Sequence, residues 1–201
     1  MKQTLYNNIL DLMVTKGYIS KENEDLYLYA MKISVQGVIN MLALFVIGLL
    51  LGMLKESIFM FLSFFILRKF SGGVHADKYI TCLISSLFIS IVGLILIENH
   101  WFVSRNVFVV MMLILIFLII ALSPIEHPNK QILDKERKIY KLIATVLSVT
   151  ISSISFLLVF KELYIEVGYA LSTGLMTSSL LMIAGKFKLS KKIKEEKRKL
   201  L

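Results

Sequence analysis

Cysteine is almost missing from this 201-residue chain: Cys82 is the only one. A single thiol excludes an intramolecular disulfide and any cysteine-rich metal site. Histidine is nearly as scarce, with His75, His100 and His127 in separate polar stretches that lack ligand spacing. No metal and no cofactor is therefore expected. Acidic residues number 14 against 23 lysines and arginines, and charged residues of both signs make up only 18% of the chain. No internal repeat is visible, and the hydrophobic patterns of the two halves do not match. The first thirty residues are amphipathic and mixed in charge, unlike a cleavable signal peptide.

What fills the chain instead is apolar sequence, at 57% hydrophobic residues and a mean hydropathy of +0.76. Several runs approach the roughly 20 residues that a bilayer-spanning helix needs. The formal charge of +9 then reads as basic loops facing an anionic leaflet, and nucleic acid is not an expected partner. The expected fold is an all-α integral membrane protein with about six transmembrane helices. Residues 1–32 form two short amphipathic helices, separated by Gly17 and Ser20, that anchor in the interface or dock substrate. Residues 33–184 form the membrane domain, and residues 185–201 a basic cytoplasmic tail.

The spans read as 33–54, 57–67, 78–97, 106–122, 139–160 and 163–184. Lys55-Glu56 and Lys161-Glu162 are expected to turn the chain, and the fourth span, apolar almost all round, to face lipid. The second span is short. Its 11 residues before Arg68 cover about half of a 30 Å hydrocarbon core, which leaves Arg68 near or within the apolar layer. All 23 basic residues except Lys55, Arg105 and Lys161 fall on one side of this arrangement. The positive-inside rule then places both termini and the 68–78 stretch in the cytoplasm.

The stretch Arg68-Lys69-Phe70-Ser71-Gly72-Gly73-Val74-His75-Ala76-Asp77-Lys78-Tyr79-Ile80-Thr81-Cys82 concentrates the chemistry. Ser71-Gly72-Gly73 predicts a turn. Asp77 suits the N-cap of a helix starting at Lys78. Cys82 then falls about one turn into that helix, where the macrodipole favours a thiolate. On one straight helix His75 and Cys82 would stand roughly 10 Å apart, too far for proton transfer over about 3 Å. The glycine turn allows His75 to fold back over the first helical turn. A Cys beside a His in this way is the pattern of a nucleophile with its general base. The bland alternative is a cysteine that only packs.

The run from Arg68 to Ala76, followed by Cys82, resembles the core of the accessory gene regulator B (AgrB) family. Ser123-Pro124-Ile125-Glu126-His127-Pro128-Asn129-Lys130 is similar to that family's cytoplasmic loop. The resemblance implies a membrane cysteine endopeptidase of the bacterial cell membrane, with its active site toward the cytoplasm, that processes precursors of cyclic autoinducing peptides. It implies Cys82 as nucleophile and His75 as base. It also implies Arg68 and Gly73 as supporting positions, and Asp77, Glu126 and Lys130 are further candidates for supporting or substrate-binding roles. Asp77 is equally explained as a helix cap, and Glu126 as a solvated loop residue. The implied partners are membrane lipids and a small propeptide with an amphipathic N-terminal helix and a charged C-terminal tail; a homodimer is a further expectation. A basic cytoplasmic face suits an acidic substrate segment. The rival reading is a multi-span peptide transporter or exporter with an incidental cysteine.

Overall fold

The computed structural model describes residues 2–72, 79–99, 104–125 and 134–199. Seven α-helices account for most of them: α1 (Lys2–Thr15), α2 (Glu24–Leu50), α3 (Leu54–Ser71), α4 (Tyr79–Glu98), α5 (Arg105–Leu122), α6 (Asp134–Phe160) and α7 (Ile165–Lys199). A short 3-10 turn, Lys21–Asn23, precedes α2. The chain divides into two compact units, Met1–Ala43 and Leu44–Leu201. The first holds α1 and the greater part of α2; the second holds everything that positions the site.

Four helical stretches are long and apolar enough to cross a membrane: 21–50, 105–122, 135–160 and 165–190. The described apolar part of α4, Ile84–Glu98, is shorter. The distribution of polarity is that of an integral membrane protein. Phe88, Leu113, Phe117 and Leu157 are exposed, whereas Ser57, Ser63, Ser148, Ser155, Ser172 and Thr173 are buried. Water would not tolerate such an apolar outer surface, and lipid requires it. Without a hydrophobic force between helices in lipid, close packing of small residues holds them together.

That packing centres on α7, whose membrane-length window is 56% buried, against 22% and 28% for the windows of α5 and α6. Its main partners are α3 and α6. A Cβ on Gly174 would collide with the Ser63 hydroxyl and sit 2.5 Å from the Met60 carbonyl oxygen and 3.0 Å from the Phe64 nitrogen. The two backbones therefore touch. Ser178 Oγ donates to the Phe64 carbonyl at 3.4 Å, and Ser155 Oγ on α6 donates to the Gly168 carbonyl at 2.6 Å. Most other buried hydroxyls donate within their own helix, as Thr173 does to Tyr169 at 2.8 Å. At one end of the bundle Arg105 pairs with Glu162 and lies 5.7 Å from the Phe160 ring centre. Both charges are mostly exposed, so this pair contributes no more than about 1 kcal/mol.

Several boundaries differ from the sequence expectation, each for a local reason. The second amphipathic stretch does not stand apart, because nothing interrupts α2 from Glu24 to Leu50. Lys55 and Glu56 lie in the first turn of α3, since Gly52 (φ +71°) makes the turn before it. The helix that holds the expected second span, α3, is 18 residues long rather than 11 and runs through Arg68 to Ser71. At about 27 Å it comes close to matching a hydrocarbon core of roughly 30 Å. The fourth span is not lipid-facing all round: Phe108, Met112, Leu115 and Ile119 form one buried stripe at helical spacing. Likewise the basic tail continues α7 without a break to Lys199.

Gly174→Ala should lower the melting temperature of the purified protein. Overpacking against backbone costs about 1–3 kcal/mol, which outweighs the helix-propensity gain of up to about 1 kcal/mol. Gly37→Ala, with nothing within 4 Å of its added Cβ, should melt no lower than the wild type.

Candidate active site

The end of α3 is the anchor of the site. Gly72 follows the last helical residue with φ +73° and ψ −159°, and its N–H returns to the Arg68 carbonyl at 3.2 Å. This conformation is essentially confined to glycine. A second constraint falls on the same atom, because a Cβ here would run into the Ile125 carbonyl. Gly72 and Ile125 form a parallel bridge, with the Ile125 N–H donating to the Ser71 carbonyl at 2.9 Å.

Ile125 is the residue available for that role. α5 stops at Leu122 because Ser123 precedes a proline and takes an extended conformation, φ −76° and ψ 145°. The Ser123 N–H closes the helix on the Ile119 carbonyl at 2.9 Å. Pro124 has no N–H, so Ile125 supplies the next donor, and it goes to α3. Ile125, Phe70 and Leu122 pack against the core that contains fully buried Leu67. The two stretches that carry the family resemblance, 68–76 and 123–130, are thus joined where each leaves its helix.

Arg68 lies on the last turn of α3 and is half-buried. One guanidinium nitrogen donates to the Gly72 carbonyl at 3.4 Å, and the guanidinium carbon stands 5.7 Å from the Phe64 ring centre. Ser71 is fully buried, its hydroxyl 3.4 Å from the same Gly72 carbonyl. Phe70 meets Tyr140 of α6 with ring centroids 6.2 Å apart. The start of α6 therefore stands at this end of the bundle as well.

Cys82 lies in the first turn of α4. A Cβ on Gly93 of α4 would be 2.9 Å from the Met60 sulfur, which sets those two residues level. From that level Ser71 lies about 16 Å along α3 and Tyr79 about 21 Å along α4. Running the same way, the two helices would leave their linked ends about 37 Å apart. The eight steps between Ser71 and Tyr79 span at most roughly 29 Å. α4 therefore runs opposite to α3 and brings Cys82 to the end that holds Arg68, Gly72 and Ile125. The first turn of a helix carries unpaired N–H groups and partial positive charge, which favours a thiolate.

His75, Gly73, Asp77, Glu126 and Lys130, and the side chain of Cys82, lie outside the described residues. The helix after the glycine turn is described from Tyr79. Gly72 bears out the reading of Ser71-Gly72-Gly73 as a turn, and two residues that the sequence reading did not single out also matter here: Ile125 and Tyr140. Ile125 was an unremarked apolar residue after a proline, and nothing local marked Tyr140.

Gly72→Ala should leave the protein in the membrane yet lower its activity at least about tenfold. Strain of about 1–3 kcal/mol and the clash with Ile125 fall together on that turn. Activity within about twofold of the wild type would show that the pairing does not govern the site.

The chain matches the accessory gene regulator B family over residues 6–184. An AgrB-like protein of Clostridium perfringens (strain SM101 / Type A) is 25% identical over 175 residues, 81% of this chain and 78% of its own. An AgrB-like protein of Listeria monocytogenes (serotype 4a, strain HCC23) is 24% identical over 170 residues, 81% of this chain and 80% of its own. No solved structure matches. With the match running from α1 through most of α7, and the two motif stretches paired in space, this chain belongs to the accessory gene regulator B family.

Proposed function

We propose that this protein is a membrane cysteine endopeptidase that processes the precursor of a cyclic autoinducing peptide. The observation that carries the reading is the Gly72–Ile125 pairing, which brings the two family motifs together at the end of the bundle where α4 begins, with Cys82 in its first turn. Cys82 is the only thiol in the chain, and His75 lies in the seven-residue connection just before it.

In this mechanism His75 takes the Cys82 proton, and the thiolate adds to the peptide carbonyl. The oxyanion is held by N–H groups at the start of α4 or by the Arg68 guanidinium. His75 returns its proton to the departing amine as the C–N bond breaks. The C-terminal fragment leaves, and a thioester to Cys82 remains. An internal Cys or Ser of the retained peptide then attacks that thioester, closing a thiolactone or lactone ring. The attacking group's proton passes to His75 and on to the released Cys82 sulfur. Ring closure through a thiol exchanges one thioester for another at little net energy, so removal of product pulls it forward. A water-poor setting within the membrane's depth suppresses competing hydrolysis. The basic ends of the helices are assigned to the cytoplasm.

Cys82→Ala and His75→Ala should each abolish cleavage of a co-expressed precursor, and the double variant should be no worse than either, because a nucleophile and its base act as one unit. Arg68→Ala should lower cleavage at least about tenfold, with Arg68→Lys recovering little of it, since a planar fork of donors is not a point charge. Retained cleavage by the Cys82→Ala enzyme, read by mass spectrometry of the products, would overturn the reading.

A further inference from the structure

The basic end of α7 is larger than a membrane anchor needs. α7 spans 35 residues, Ile165–Lys199, about 52 Å of helix, whereas a hydrocarbon core of roughly 30 Å takes about 20 residues. Ser63 beside Gly174 and Phe64 beside Ser178 show that α3 and α7 run the same way. Eight residues beyond Phe64 is Gly72, and eight beyond Ser178 is Lys186. The last fourteen residues of α7, 186–199, therefore start level with the candidate site and continue about 21 Å past it. Against Glu195 and Glu196 they carry Lys186, Lys188, Lys191, Lys192, Lys194 and Lys197, followed by Arg198 and Lys199. The first turns of α6 rise on the same side, since Tyr140 is held at Phe70 and Asp134 lies about 9 Å farther out. There Lys135, Arg137 and Lys138 are exposed, with Glu136 among them.

We infer that this α7 arm, with the start of α6, is the docking surface for an acidic segment of the peptide substrate. The inference rests on the endopeptidase reading above. Two occupants suit a basic helix: an anionic lipid surface or an acidic peptide. The headgroup layer is about 5–7 Å deep on each side, enough for Lys186 and Lys188. Residues 191–199 extend about 13 Å more, which carries Lys197, Arg198 and Lys199 beyond the Debye length of about 8 Å at physiological salt. The lipid surface potential is weak at that height. An extended peptide rising about 3.3 Å per residue covers the whole arm within roughly ten residues of the bond held at Cys82. An acidic segment at that distance would be attracted along the arm and would align the cleaved bond with the site.

The test uses the full chain carrying Cys82→Ala, in nanodiscs of phosphatidylcholine. Its probe is a fluorescent ten-residue peptide of alternating Glu and Gly, with a Gln/Gly peptide as control. The Glu peptide should bind. Its affinity should fall about tenfold or more between 50 and 500 mM salt, and by a similar factor when Lys191, Lys192, Lys194 and Lys197 are changed to Gln; the Gln peptide should not bind. Equal binding by the four-fold variant would overturn the inference. So would loss of binding by the unaltered arm once phosphatidylglycerol is added, because the arm would then belong to lipid. Binding is read without cleavage, so failure of the proteolytic reading would show separately, as cleavage retained after Cys82→Ala.

Discussion

One hydrogen bond organises the site end of this protein: the Ile125 N–H donating to the Ser71 carbonyl at 2.9 Å. An unpaired backbone group buried away from water costs several kcal/mol, and Ser71 is fully buried, so the chain leaving the helix here must place its donors and acceptors on protein. Helix α5 ends early because of Pro124, and α3 ends on Gly72. Each solves the other's backbone problem. The Gly72 turn then sends the chain through 73–78 into α4, and the length of that connection fixes Cys82 at the same end as Arg68.

The pairing depends on a bundle that is close-packed where helices meet and apolar where they do not. Gly174 lets α7 touch the backbone of α3 at Met60, Ser63 and Phe64, and buried serines line the contacts without needing charged partners. α3 is thereby held against the most buried helix, so that Arg68, Phe70 and Ser71 sit on a rigid support. At the far end the exposed Arg105–Glu162 pair marks the turn from α6 to α7, and it is not positioned to affect the site.

Much of this was legible in the residues. The all-α membrane class followed from hydropathy, and the six apolar stretches correspond to α2 through α7. Cys82 was placed one turn into a helix after a glycine turn, and the structure puts it in the first turn of α4. Helix ends were less legible. The run before Arg68 looked short because Arg68 and Lys69 appeared to end it, but helical geometry tolerates terminal cations, which complement the macrodipole. The glycine turn signalled that backbone could pass close by, but nothing in the sequence named Ile125 as its partner, since the pairing joins backbones more than fifty residues apart through atoms that every residue possesses. The length of the α7 arm was hidden for a related reason: a basic tail reads alike whether frayed or continuous with a span.

The central claim, that the glycine turn and the proline loop form one paired unit, is tested most directly by amide exchange at Ile125. In detergent-solubilised protein this single N–H should exchange slowly in the wild type, as a bonded amide does. In Gly72→Ala it should exchange at least about tenfold faster while the amides of α5 stay protected. Fast exchange at Ile125 in the wild type, or protection unchanged by Gly72→Ala, would contradict the account.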